Sequence, residues 1–330
     1  MTERSLCQYR MRYWHGCCAV VGLMHLQIMS SHPAIILNAS SGAGDKEQAR
    51  AALASALQAR GHDGLIWLAR SGAELIEYAR RAVHEDCRPV IAGGGDGTIN
   101  AVASVLVGTD RPLGVLPLGT LNHFAKDLRI PLDLESAIKV CLDEHTASVD
   151  VGEVNGSIFL NNSSLGLYPS IVRQRERQQE REGWGKWPSF FWAALAVLRR
   201  YPFMDVRLST DEKDFRRRTP FVFIGNNEYQ MEGFNIGERE KLDAGRLSLS
   251  VAHRTGRLGL LRFAVRALFG GLRNEKDFDA LSTTEIWVET KRSRLRVATD
   301  GEVTIMHTPL HYRVRPGALR VLVPKRSQES

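Results

Sequence analysis

Residues 89–100 read PVIAGGGDGTIN. Three apolar residues, Val90, Ile91 and Ala92, run into four glycines and one carboxylate, and from about Thr98 the pattern turns helical. A buried strand that ends in glycines and continues as a helix is where an open parallel sheet meets its ligand. Glycines let backbone N–H groups approach phosphate oxygens, and the N-terminus of the following helix favours an anion. A triple glycine can also be a plain tight turn. Asp96 weighs toward phosphate, because a carboxylate beside phosphates needs a counter-ion such as Mg²⁺. The spacing is neither G-x-G-x-x-G nor G-x-x-x-x-G-K-[ST], which excludes the dinucleotide and P-loop fingerprints.

Working outward, Pro33–Asn38 predicts a buried strand that runs into the turn-forming ASSGAG. A helix follows with Ala49, Leu53, Ala56 and Leu57 on one face, stopping at Gly61. Leu65–Leu68 predicts the next strand, and Ser71 with Glu74 has the spacing of a capping box. Beyond the opening stretch lies another strand, Leu113–Leu116, ending in a second glycine turn, Gly119–Thr120. This alternation predicts a doubly wound parallel sheet over residues 33–146.

From about residue 147 the pattern changes to short runs bounded by Gly and Asn, such as SVDVGEV, FVFIG, RLSLSVA and EIWVET. Residues 147–330 therefore predict a β-rich, sandwich-like domain, its last strand free to return to the first domain. Two stretches inside it, 187–203 and 257–272, read as amphipathic helices.

A length of 330 residues suits two domains, and 43% apolar with 25% charged residues is a soluble globular composition. The five cysteines form neither a spaced metal set nor a disulfide framework, which indicates a reducing compartment. The net charge of +7 suits nucleotides, phosphates or an anionic membrane surface, and nothing in the patterning selects nucleic acid. No run of about 18 uncharged apolar residues predicts a spanning helix. Residues 1–32 imitate a signal peptide's basic start and apolar middle, but His25 and Gln27 interrupt the run and no A-x-A site follows. They read as a loose extension, or as an upstream start with Met24 or Met29 as the true first residue.

The motifs as an ordered set resemble the bacterial diacylglycerol kinase-like lipid kinases, in a superfamily with sphingosine kinases and NAD kinases. GGGDGTIN (93–100) is similar to the shared nucleotide loop, and VLPLGTLNHFAKDLRIP (115–131) to the second loop. LNASSG (37–42), FLNNSSLG (159–166), FIGNN (223–227) and DGE (300–302) follow the family's order. The resemblance implies ATP on the first domain and a lipid hydroxyl phosphorylated in the cleft between the two. It implies that Asn38 and Ser41 border the nucleotide, that Gly94, Gly95, Asp96, Gly97, Thr98 and Asn100 form the phosphate loop, and that Gly119, Thr120 and Asn122 complete the pocket. Asp96 would be the carboxylate for the nucleotide's Mg²⁺, and Asp300 and Glu302 would stand at the acceptor hydroxyl, Glu302 being the better single choice.

Three departures qualify the resemblance. His123 replaces the family's usual aspartate, and Leu68 a threonine found in some members. KLDAGRL (241–247) is similar to a structural magnesium loop, usually L-D-D-G, but carries Ala244 where the second aspartate would be. A methyl group cannot ligate magnesium, which leaves Asp243 or a metal-free loop.

Phe190 and Phe191, with Trp184, Trp187, Arg199 and Arg200, are core or a homodimer contact on one reading and an interfacial anchor on the other. RRR (216–218) and KRSRLR (291–296) are solvated faces or headgroup contacts. The resulting expectation is a cytoplasmic kinase peripheral to the inner face of the membrane, using ATP and Mg²⁺, with diacylglycerol as first acceptor. The alternatives are a sphingoid-base, ceramide or other lipid kinase. An NAD kinase fits the second loop less well, and His123 with Ala244 leaves open a lipid-binding pseudokinase.

Overall fold

A computed structural model describes residues 32–39, 46–61, 64–143, 145–166, 203–229, 231–232, 235–236, 239, 241–252 and 278–325. Ser41, the aromatic segment around Trp184 to Arg200, the stretch 257–272 and residues 1–31 lie outside them.

The first half alternates as β1 (Ala34–Asn38), α1 (Lys46–Ala59), β2 (Leu65–Ala69), α2 (Gly72–His84), β3 (Val90–Gly94), α3 (Asp96–Leu106) and β4 (Leu113–Pro117). The short α4 (His123–Asp127) and then α5 (Leu134–Leu142) follow. β1 pairs in parallel with β2 and β3, and β3 with β4, in the order β2-β1-β3-β4. Every residue of β3 and β4 is buried, so this part of the sheet has no solvent face and helices must cover it. α2 begins as its sequence predicts: the Ser71 hydroxyl accepts from the Glu74 amide, while the Glu74 carboxylate reaches back to the Arg70 amide, one residue before the cap. α3 starts at Asp96, two residues earlier than the hydrophobic pattern indicates, because the glycines conceal its first turn.

The second half comprises β5 (Thr146–Val154), β6 (Ser157–Phe159), β7 (Asn162–Gly166), β8 (Met204–Thr210), β9 (Asp214–Thr219) and β10 (Phe221–Asn226). The short β11 (Met231–Glu232) and β12 (Asn235–Ile236) come next. The half ends with β13 (Leu247–Ala252), β14 (Phe278–Thr283), β15 (Glu285–Thr290), β16 (Arg294–Thr299), β17 (Glu302–His307) and β18 (Leu310–Leu322). β14-β13-β10-β7-β16-β17 form one antiparallel sheet. β18 pairs antiparallel with β5 and β15, and touches β4 in parallel at Val321–Leu113, so the first sheet continues into the second half. The protein is thus an α/β domain on a largely parallel sheet followed by an antiparallel β-sandwich.

Two cores match this division. One lies among β1, β3, β4 and the helices and includes Val149, Val151, Leu319, Val321 and Leu322 from the second half. The other fills the sandwich, with Tyr312 fully buried and its hydroxyl 3.1 Å from Ser163 Oγ. The RRR run lies on β9, at the edge of the large sheet, where charged side chains discourage pairing with another chain.

At the register shift of β18, between Arg315 and Leu319, the buried Asp150 of β5 accepts the Gly317 amide at 2.8 Å and the Gly245 amide at 2.6 Å. Gly317 has φ +58°, a conformation that favours glycine. Asp150→Ala should destabilise the protein by about 2–4 kcal/mol, since two amides lose a charged acceptor. Thermal unfolding of the single variant checks this.

Candidate active site

The strand order reverses between β1 and β3, and the glycine turns that follow β3 and β4 meet at the carboxyl ends of the strands. Asn38, the last residue of β1, donates from Nδ2 to Thr98 Oγ1 at 2.9 Å, which ties β1 to the buried first turn of α3. Gly95 is the N-cap of α3 and offers no side chain, so the first-turn amides lack a side-chain cap.

The glycines answer first to protein contacts. A methyl group on Gly93 would overlap Leu37, one on Gly94 would overlap Thr98, and one on Gly119 would overlap the Gly95 backbone. The two glycine turns are therefore packed backbone to backbone. Packing of this kind goes with the tight-turn reading of the glycines and leaves the phosphate reading open beside it.

Asp96 spends its carboxylate on the second turn: Oδ2 accepts the His123 amide at 3.2 Å and Oδ1 the Phe124 amide at 3.1 Å. It thereby caps α4, a role that Asn122, at φ +51°, leaves vacant. The Asn122 side chain instead accepts from the Gly119 amide and donates to the carbonyls of Pro117 and Gly119. Thr120 is exposed, and Asn100 holds a buried Oδ1 without a hydrogen-bond partner.

The Asp300–Glu302 turn joins β16 to β17, and its two acids have different surroundings. Asp300, at φ +47°, accepts the amides of Leu160 at 2.7 Å, Asn161 at 2.8 Å and Asn162 at 3.0 Å. Burial pushes its carboxyl up to about 6, against the pull of those amides and of Arg239. Glu302 is exposed, and its Oε1 lies 3.0 Å from where a methyl group on Gly97 would stand. The structure brings Glu302 to the first turn of α3 and turns Asp300 inward to the β6–β7 loop.

One residue that sequence reasoning missed is Arg239, whose side chain is fully buried against Asp127 of α4. It also donates to Leu160 O at 2.7 Å, Asn226 O at 3.0 Å and Asn161 Oδ1 at 2.9 Å. Nothing local marks it, since an arginine between glutamates reads as a surface residue.

In the 241–247 loop Asp243 and Ala244 are exposed. The loop is held by protein groups: the Gly245 amide on Asp150, the Ala244 amide on Asn227 Oδ1 at 3.1 Å, and the Asp150 amide on Leu242 O at 2.8 Å. Among the described residues no group of three or more His, Cys, Asp or Glu is placed to hold a metal ion. The residues present do not fit a structural magnesium in this loop. A magnesium ion arriving with a nucleotide is a different case, because phosphates supply most of its ligands and one or two carboxylates suffice. Asp96 is a carboxylate in the glycine turn, and each of its oxygens, having accepted one amide, keeps further acceptor capacity for such an ion.

Residues 32–154 match the diacylglycerol kinase catalytic domain, and residues 172–323 match the YegS C-terminal NAD kinase beta sandwich-like domain. A protein of Pseudomonas fluorescens described as "Probable lipid kinase YegS-like" is 31% identical over 288 residues, covering 85% of this chain and 92% of that one. The chain belongs to the bacterial diacylglycerol kinase and YegS-like lipid kinase family. A diacylglycerol kinase of Staphylococcus aureus (strain MRSA252) is 30% identical over 241 residues, covering 69% of this chain and 72% of its own. The crystal structure of a diacylglycerol kinase from Bacillus anthracis str. Sterne shares the fold, with a TM-score of 0.64 at 22% identity over 89% of this chain and 97% of that one. As a member of this lipid kinase family the chain is an ATP-dependent kinase.

Gly119→Ala should lower kcat/KM for ATP by about 10²-fold, since the methyl group would force the two glycine turns apart. Gly95→Ala places its methyl 3.5 Å from Gly119 Cα, an ordinary contact, so it should fold as wild type and any loss of ATP affinity in it reports the ligand's approach rather than packing. Nucleotide titration of both variants separates these outcomes.

Asp300 accepts its three amides as a carboxylate, so turnover should reach its plateau only well above pH 6, stand near half of it at about 6 and fall further below. Asp300→Asn should be slow at every pH, with this limb absent from the pH–rate profile.

Proposed function

We propose that this kinase transfers the γ-phosphoryl group of ATP to the hydroxyl of a membrane lipid, diacylglycerol to phosphatidic acid being the first choice. The observation that supports it is the approach of the Glu302 carboxylate to Gly97 at the start of α3. A proton acceptor from the second domain thereby stands beside the turn that suits phosphates.

In this reading Asn38 and Thr98 shape the floor of the nucleotide site, and the uncapped amides of α3 receive phosphate oxygens. Gly119, Thr120 and Asn122 form the second wall, with Ser41 assigned to the rim by its motif. Magnesium bound with the nucleotide, held on the protein side by Asp96, would supply charge neutralisation at the phosphates. Glu302 accepts the proton of the lipid hydroxyl as the oxygen–phosphorus bond forms and the bond from phosphorus to the β–γ bridging oxygen breaks. ADP leaves with that oxygen. Asp300 acts by holding the turn.

The lipid acceptor requires contact with a bilayer. No helix among the described residues is long and apolar enough to cross a membrane. The hairpin that carries Glu302 sets Arg296 opposite Ile305, which is 64% exposed, and Arg294 opposite His307. That combination suits a peripheral enzyme on an anionic surface, which we assign to the cytoplasmic face.

A panel of dioctanoylglycerol, sphingosine and ceramide in detergent micelles with labelled ATP tests the acceptor, and label on dioctanoylglycerol is the expected result. Glu302→Gln should reduce kcat by about 10²- to 10⁴-fold with ATP binding and melting temperature preserved. Near-normal turnover in that variant would remove Glu302 from the chemistry.

A further inference from the structure

Arg239 closes a ring of contacts around the site. Asp96, in the glycine turn, caps α4 at His123 and Phe124. Asp127, the last residue of α4, takes Arg239 Nε at 2.8 Å, Nη2 at 2.7 Å and the Arg239 amide at 3.2 Å. The guanidinium then reaches Leu160 O and Asn161 Oδ1 in the β6–β7 loop, whose amides grip Asp300. Two residues on, Glu302 returns to Gly97, next to Asp96. We propose that Arg239 is a positioning residue, which sets the second domain's acidic turn against the first domain's phosphate turn. This inference rests on the reading of Glu302 as the proton acceptor.

The chemistry of the side chain favours positioning over simple cohesion. A buried ion pair is commonly no better for stability than apolar residues of similar volume. A planar guanidinium with five N–H donors can, however, bind a carboxylate, two carbonyls and an amide oxygen at once and in fixed directions. Here those acceptors come from α4, the β6–β7 loop and the end of β10. The loop and β10 already meet through the Asn226 amide on Asn161 O at 2.9 Å, and Arg239 ties α4 to that pair. Tyr229 closes the remaining side, its ring centroid 5.4 Å from the guanidinium carbon. Lysine could pair with Asp127 but could not span the other acceptors.

The test uses full-length protein, dioctanoylglycerol micelles and two variants. Arg239→Lys keeps the charge opposite Asp127, and the double variant Asp127→Leu/Arg239→Met removes the buried pair together. Positioning predicts that both lose at least about tenfold in kcat, with ATP affinity, measured by equilibrium binding, within about threefold of wild type. Both should still fold, at melting temperatures below the wild-type value, because Asn161 Oδ1 and the Asn226 carbonyl lose a donor. Wild-type kcat in either folded variant would overturn the proposal, as would equal loss of kcat and ATP affinity. Failure of both to fold would also overturn it, by making Arg239 a core strut. Glu302→Gln run in parallel distinguishes the failures: normal turnover there removes the catalytic reading itself, whereas a slow Glu302→Gln beside a normal Arg239→Lys removes only the role of Arg239.

Discussion

The arrangement depends on a single strand. β18 runs antiparallel to β5 and β15 in the sandwich and meets β4 of the α/β domain at Val321. Its backbone hydrogen bonds make the two domains share a sheet, and buried backbone amides and carbonyls are costly to leave unpaired. The Val321–Leu113 pair is the point at which that sheet passes from one domain to the other. The shift near Pro316 and Gly317 lets one strand serve both geometries, and Asp150 fastens it by accepting the Gly317 amide.

Upon this frame, environment sorts the carboxylates. Asp150, Asp96, Asp127 and Asp300 are each occupied by backbone amides or by Arg239. A carboxylate so employed is positioned and cannot leave its donors cheaply. Glu302, exposed at the edge of the six-stranded sheet, is the acid that reaches the glycine turn at Gly97. Neighbouring acids in one DGE turn thus have distinct surroundings, set by where the hairpin points each of them.

The same frame explains how the 241–247 loop persists with Ala244. Two of its amides have acceptors on the protein, Asp150 for Gly245 and Asn227 for Ala244. Asn226 extends this lattice by donating to Asp150 O and Leu160 O, linking the loop to the Arg239 cluster. The polar interior between the domains is continuous from β5 to α4.

Much of this was determined by the sequence alone. Strand and helix periods in residues 33–117 reflect which face each residue buries, a property of neighbours along the chain, and the ordered glycine and asparagine motifs identified the family. β9 escaped because its arginines follow solvent exposure at a sheet edge, and α3's first turn escaped because glycine carries no pattern. Only the tertiary structure decided that the glycines pack against each other, that Asp300 and Glu302 part company, and that Arg239 is buried against Asp127. Arg239 meets Asp127 across 112 positions of sequence and Asn161 meets Asp300 across 139. Such hydrogen bonds depend on which strands the backbone brings together, and periodicity carries no record of a partner that distant.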